Sequence, residues 1–285
     1  MCPEVRLSTL TVLHPGAMGA PVAGEAVAAG HRVLWVPEGR SAASGERAEG
    51  AGLTRCERLG EALGVSDIVL SICPPHASEQ VADAVAGHGF AGIYVEANAI
   101  SPERMQRIAG RMPASCTVLD GMLSGPPPRD GRTVRFYLAG DAGARESVEA
   151  VFADTRILTR ATGGGIGSAS ALKLAISSYQ KVSRALAGVA HALAADHGVE
   201  DLLLAEAGAM NKDILDNPGY LPGVAARAWR WGPEMAEVAD TLRAAGLPAE
   251  LAEAAELVYS RWDQHKDQSP DLDTVLNTLH HRPKG

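Results

Sequence analysis

A change of rhythm near residue 163 constrains this chain more than any other feature. Before it, short apolar runs alternate with longer segments patterned as helices. The runs are LSTLTVL (7–13), HRVLWV (31–36), DIVLSIC (67–73), GIYVEA (92–97), CTVLDG (116–121), TVRFYLAG (133–140) and TRILTR (155–160). Their length and bounding turn residues predict buried strands. Between them lie AMGAPVAGEAVAAG (17–30), SPERMQRIAG (101–110) and AGARESVEAVFA (142–153). In the second of these, Ser101 reads as the N-cap, Pro102 as the first helical residue and Glu103 as part of the first turn. Strands alternating with helices predict a parallel sheet covered on both faces. After ATGGGIGSAS (161–170) no strand signal recurs, and the pattern predicts one long helix from Ser168 to Asp196, stopped by Gly198. The expected architecture is therefore α/β Rossmann, a doubly wound, mostly parallel sheet over residues 1–162. An all-α domain over 163–285 follows, joined by a long interdomain helix.

The chain has 285 residues, 46% hydrophobic and 21% charged, the balance of a globular protein with room for two cores. Its formal charge of -8 argues against general affinity for nucleic acid or an anionic membrane surface. Cys2, Cys56, Cys73 and Cys116 form no C-x-x-C pair, and His14, His76, His191 and His197 show no metal-ligand spacing. The histidines read as structural or surface residues. No segment reads as a signal peptide or a membrane span, so a cytoplasmic location is expected, and the terminal HHRPKG reads as frayed.

The first strand runs into His14-Pro15-Gly16-Ala17-Met18-Gly19 and then into a helix. A dinucleotide-binding turn reads G-x-G-x-x-G. Its first glycine makes the tight turn, its second admits the pyrophosphate, and its third lets helix pack on strand. Gly16 and Gly19 hold the second and third places, and His14 replaces the first. Because Pro15 biases the preceding residue toward extended backbone, His14 is expected to end the strand without a positive φ. The N–H groups at the start of the helix then face a phosphate. The alternative is that the two glycines serve turn and packing alone. The coenzyme type depends on the end of the second strand, Pro37-Glu38-Gly39-Arg40-Ser41. Glu38 argues for NAD through the ribose 2′-hydroxyl, and Arg40 with Ser41 argues for NADP through a 2′-phosphate, with Arg47 as added charge. The reading leans to NADP, since Gly39 lets the loop bend toward the ribose. Arg40 as a plain solvated residue remains the alternative.

Four segments carry a wider resemblance. They are HPGAMGAPVAGEAVAAGHRVLWVPEGRS (14–41), VEANAISP (95–102), LDGMLSGPPPRDGRTVRFYLAGD (119–141) and GGGIGSASALKLAISS (163–178). In this order they resemble the β-hydroxyacid dehydrogenase superfamily, which includes 6-phosphogluconate dehydrogenase, 3-hydroxyisobutyrate dehydrogenase and imine reductases. The resemblance implies that Lys173 is the catalytic lysine, and that Ser124, Gly125 and the Pro126 beside them hold a substrate carboxylate. It implies that Cys73, Pro74 and Pro75 pass along the coenzyme ribose, that Asn98 sits by the nicotinamide, and that the helical domain makes a homodimer. The chain departs from the family pattern around the substrate. Asn98 stands for a serine, Pro126 for a glycine, Ser177 for an asparagine, and Pro233-Glu234 for a Lys-Asp pair.

Hydride transfer to a carbonyl leaves negative charge on oxygen, which a positioned donor must stabilise or protonate. Lys173, at the domain junction where a cleft is expected, suits this role. Ser177, Gln180, Lys181 and Arg184 follow it on one helical stripe, which periodicity alone reads as a solvated face. In ARAWRWGPEM (226–235), Trp229 reads as core, and Trp231 with Glu234 as a possible wall for the substrate. The leading expectation is an NADP-dependent oxidoreductase acting on a small anionic hydroxy or carbonyl compound such as a β-hydroxy acid. The alternatives are an imine reductase, against which Lys173 weighs, and a non-catalytic NADP-binding sensor.

Overall fold

The computed structural model describes residues 7–196, 198–209, 217–244, 246 and 249–280. Cys2, His197 and residues 281–285 of the terminal stretch lie outside the described residues. The contacts divide the chain into two compact units, Met1–Lys173 and Leu174–Gly285.

The first unit is built on one sheet of eight strands. In chain order its elements are β1 (Thr9–Leu13), α1 (Gly19–Ala28), β2 (Arg32–Trp35), α2 (Ala42–Gly50), β3 (Thr54–Arg55), α3 (Leu59–Gly64), β4 (Ile68–Ser71), α4 (Ser78–Gly87), β5 (Ile93–Glu96), α5 (Pro102–Arg111), β6 (Thr117–Ser124), β7 (Val134–Gly140), α6 (Ala142–Val151) and β8 (Ile157–Ala161). The strand order is β3-β2-β1-β4-β5-β6-β7-β8. All pairs are parallel except β6 with β7, which are antiparallel. The order reverses between β1 and β4, and that switch point is where an open α/β sheet binds ligands, beyond the carboxyl ends of its strands.

Side-chain alternation along each strand fills both faces. Leu10 and Val12 of β1 pack with Val22, Ala23 and Ala26 of α1 and Val148 and Val151 of α6. Leu13, Val69 and Tyr94 pack on the opposite face with Ala82 and Val85 of α4 and Met105 and Ile108 of α5. The expected cap of α5 is present: Ser101 Oγ accepts from Arg104 N at 3.2 Å, with Pro102 at the first position and Glu103 in the first turn. Two-residue β3 was not legible, because nothing in Thr54-Arg55 distinguishes a strand from a loop.

The second unit is helical. Helix α7 (Ser168–Asp196) opens in the first unit and continues into the second. It is followed by α8 (Glu200–Ala209), α9 (Leu221–Ala225), α10 (Ala228–Ala244), α11 (Glu250–Ser260) and α12 (Leu272–Thr278). After α7, Gly198 takes a φ of +64°, as expected of a helix stop. Trp262, Tyr259, Leu221, Met235 and Val275 form the core of this unit. Trp262 fits because α7 carries Gly188 beside it: a Cβ there would meet the indole at 3.0 Å. The tryptophan expected in the core, Trp229, is instead partly exposed with Lys266 Nζ 4.2 Å above its ring. Trp262, a single tryptophan amid polar neighbours in sequence, takes the core place.

The two glycines of the first turn are not equivalent. A Cβ on Gly19 would lie 2.7 Å from the His14 carbonyl oxygen, a backbone atom that cannot step aside. A Cβ on Gly16 would meet the His14 ring at 3.4 Å and the His14 carbonyl oxygen at 3.9 Å, both ordinary contacts. Gly19→Ala is therefore expected to cost about 1–3 kcal/mol in urea unfolding, and Gly16→Ala much less. Equal stability of the two variants would contradict this close approach of α1 to β1.

Candidate active site

β1 ends at Leu13, and the chain then turns on His14 with φ +79°. This corrects the expectation of extended backbone. The reversal brings Gly16 N to donate to His14 O at 2.7 Å, a three-residue turn about Pro15. His14 adopts this left-handed φ at a cost of about 1–2 kcal/mol for a non-glycine. Histidine gains a contact in return. Gly39, at φ +68°, swings the loop after β2 so that the Arg40 guanidinium donates to His14 Nδ1 and, through Nε, to Glu38 O at 3.3 Å. Glu38 itself is exposed. Ser41 caps α2, accepting from Ser44 N at 3.3 Å. Burial, then the charges of Arg40, Arg47 and His76, hold the His14 imidazole down at about 4, so it is neutral at physiological pH.

Helix α1 opens with Met18 at its N-cap, no side-chain cap and no acid in its first turn. Such an end keeps its N–H groups and its positive pole for an anion. Together with the absence of room at Gly19 and the cation Arg40 over the turn, the residues present fit an anionic dinucleotide.

Across the switch point, parallel register lines up Leu13 of β1, Ser71 of β4, Glu96 of β5 and Asp120 of β6. Beyond β4 come Cys73 and Pro74, and Pro75 starts a single 3-10 turn. Asn98, 4% exposed, ties these ends together. Its Oδ1 accepts from Cys73 N at 2.6 Å, and its Nδ2 donates to Ser71 Oγ at 3.1 Å, Cys73 Sγ at 3.2 Å and the Glu96 carboxyl. The carboxamide thus fixes the turn after β4 to the end of β5. Glu96 also receives Tyr94 OH at 2.9 Å and Asn98 N at 3.3 Å, yet burial outweighs these bonds and pushes its carboxyl up to about 8. Burial and the neighbouring Glu96 push the Cys73 thiol up to about 12, so it is no nucleophile.

Asp120 faces the start of α7. Its carboxylate accepts from Gly167 N at 2.8 Å, Ala169 N at 2.9 Å, Ser170 N at 3.1 Å and Ser170 Oγ at 2.7 Å. Burial raises its pKa against the pull of those donors. One turn along, Lys173 Nζ donates to Leu123 O at 3.2 Å. Leu123 precedes Ser124, whose Oγ accepts from Arg135 at 3.3 Å, and Gly125, whose φ of +125° turns the chain away from β6. Pro126 is exposed in the loop beyond. The first unit therefore places Lys173 against the carbonyl that precedes Ser124 and Gly125 in the chain, and brings His14 against Gly16 and Arg40.

The second unit holds the other expected substrate residues. The stripe on α7 is not a plain solvated face. Ser177 is buried and its Oγ donates to Glu234 at 2.5 Å, while the other oxygen of Glu234 pairs with Lys181. Trp231 lies between Lys181 Nζ at 5.6 Å and Arg227 Cζ at 5.5 Å, edge-on to Tyr259 at 5.7 Å. Glu234 and Trp231, one turn apart on α10, thus act on the same lysine.

Glu96 and Asp120 carry the site's internal bonding and were not singled out from the sequence. The available signal was an acid directly following apolar strand residues, in YVE and again in VLD. Buried acids are rare unless paired.

A domain of unknown function (DUF1932) matches residues 194–262 of the chain. No curated protein matches it in sequence. Among solved structures, the 3-hydroxyisobutyrate dehydrogenase of Mycobacterium tuberculosis, determined with L-serine, is 19% identical with a TM-score of 0.73, over 97% of this chain and 100% of that one. The protein MTH1747, described as structurally similar to 3-hydroxyacid dehydrogenases, is 23% identical with a TM-score of 0.67, over 92% and 100%. A reductive aminase from Aspergillus terreus, solved with NADPH and ethyl levulinate, is 20% identical with a TM-score of 0.59, over 95% and 99%. These likenesses establish the fold: a Rossmann sheet followed by a helical region.

The buried acid makes a pH prediction. With its folded pKa raised to about 8 from an ordinary 4.5, Glu96 holds a proton that the unfolded chain lacks. Its contribution is complete below the lower value and fades as pH rises through the higher one, by up to about 1.4 kcal/mol per unit between. Glu96→Gln should flatten the fall of Tm between pH 5 and pH 8; an unchanged slope would count against a protonated Glu96.

Proposed function

We propose that this protein is an NADP-dependent oxidoreductase that transfers hydride between the nicotinamide and a small anionic hydroxy or carbonyl compound such as a β-hydroxy acid. The observation that carries this reading is the Lys173 ammonium, held at the carboxyl end of β6 by the Leu123 carbonyl, beside Ser124 and Gly125. The coenzyme, when bound, supplies or accepts the hydride. The protein's part is to place a proton donor where oxygen becomes negative. In the reductive direction the Nζ of Lys173 donates to the carbonyl oxygen; in the oxidative direction its neutral form takes the hydroxyl proton. Ser124 and the turn at Gly125 orient the substrate carboxylate. Asn98, with both ends of its carboxamide engaged, acts as a positioning residue that sets the turn at Cys73, Pro74 and Pro75 along the ribose. Arg40 and Ser41, rather than exposed Glu38, favour NADP. Within the helical unit, Ser177 and Trp231, linked through Glu234 and Lys181, are the proposed substrate contacts.

Likeness to an NADPH-bound reductive aminase supports a second reading, reduction of C=N bonds. Lys173 weighs against it, because the imine reductases this chain resembles carry a different residue there. A homodimer through the helical unit is supported by apolar side chains left in solvent: Tyr179, Leu202, Leu251 and Leu257 are 63–69% exposed.

The test is Lys173→Ala, assayed for coenzyme binding and for turnover with a panel of aldehydes, keto acids, β-hydroxy acids and imines. The expected result is NADPH binding within about twofold of the parent, with turnover of a carbonyl or hydroxy substrate down about 10²–10⁴-fold. Undiminished turnover removes Lys173 from the chemistry. Binding of NADPH with no turnover of any panel member by the parent favours the sensor.

A further inference from the structure

His14 occupies the place of a glycine, and its side chain is not idle. An arginine N–H can only donate, so the contact with Arg40 requires His14 Nδ1 to be the acceptor. The ring proton of the neutral imidazole then sits on Nε2. That nitrogen lies 4.0 Å from where a Cβ of Gly16 would be, and Cδ2 lies 3.4 Å from it, so the ring stands beside the turn with Arg40 of the loop after β2 against its other nitrogen. Nε2 has no hydrogen-bond partner among the described residues. The charges that most lower its pKa are those of Arg40 from the loop after β2, Arg47 from α2 and His76 from the turn after β4.

We propose that His14 is a coenzyme-specificity residue: its Nε2–H, fixed in that tautomer by Arg40, donates to the 2′-phosphate of NADP, so that imidazole and guanidinium grip that phosphate as one unit. This rests on the dinucleotide reading above and assigns the glycine-to-histidine replacement a task within it. A first glycine supplies only a bend. Here the bend is kept, at φ +79°, and a neutral donor is added that a glycine cannot offer. Neutrality matters, because a protonated ring would have donors at both nitrogens and would have to release Arg40.

The test is equilibrium binding of NADPH and NADH, by isothermal titration calorimetry, to the full chain and to His14→Gly, His14→Asn, Arg40→Ala and the double variant His14→Gly/Arg40→Ala. Glycine and asparagine both tolerate left-handed backbone, so these variants keep the turn, and thermal melts at or above the parent's confirm it. His14→Gly should weaken NADPH about tenfold while leaving NADH within about twofold. His14→Asn should recover part of the loss, and the double variant should be no weaker than Arg40→Ala, as expected of residues acting together. NADPH binding unchanged in His14→Gly overturns the proposal and leaves the dinucleotide reading intact, as does an equal loss for both coenzymes, which would make His14 a turn residue only. A parent chain that binds NADH but not NADPH also overturns it. A parent chain that binds neither coenzyme overturns both readings.

Discussion

One buried carboxylate holds the candidate active site together. Asp120, fully buried in the middle of the interior strand β6, faces the N-terminus of a helix of 29 residues. A charge so placed would be costly without partners, and an unsatisfied helix start would be costly too. Each supplies what the other lacks. The carboxylate takes the N–H groups of Gly167, Ala169 and Ser170, and the helix pole favours its charge. Removing it would orphan several buried donors at about 1–3 kcal/mol each. Two nearby glycines at positive φ are closely packed: a Cβ on Gly140, at the end of β7, would meet Leu119 at 2.9 Å, and one on Gly167, before α7, would crowd Pro102 at 3.2 Å. Lys173 follows from this, because its place beside Leu123 is set by how α7 is moored one turn earlier.

A second network repeats the principle at the neighbouring strand end. Glu96, Asn98, Ser71 and Cys73 bind one another across β4 and β5, so the turn that leaves β4 has a fixed course. The first site lies at β1, where His14 and Arg40 meet above α1. The ends of β1, of β4 with β5, and of β6 thus carry the His14–Arg40 contact, the tied turn at Cys73, and the carbonyl that holds Lys173. Each is supported by polar groups buried beneath the surface they organise, as precise sites require.

Local chemistry made much of this legible. The strands of the sheet, the cap at Ser101 and the limits of α7 at Ser168 and Asp196 are written in residues near each other in the chain. What escaped was written between distant residues. Asp120 and its donors are 47–50 positions apart, and Asn98 and Cys73 are 25 apart. No periodicity reports such pairs. His14 escaped for a different reason. The bias of a residue before proline is real, but the turn's geometry overrode it, and Arg40 rewards the strained backbone. In the helical unit, Ser177 and Lys181 read as a wet stripe until Glu234, more than fifty positions away, covered them. Trp262 was hidden because its pocket is made by Gly188 on another helix.

The mooring of α7 is tested most directly by single-turnover oxidation of bound NADPH in Asp120→Asn, followed at the nicotinamide absorbance with the best substrate of the panel. Asparagine keeps the shape but turns an amide donor toward N–H groups that need an acceptor. If Asp120 positions the lysine, the hydride-transfer rate falls at least tenfold while NADPH affinity stays within about twofold, because the turn at Gly16 and its contact with Arg40 are untouched. A rate equal to the parent's in a folded variant would contradict it.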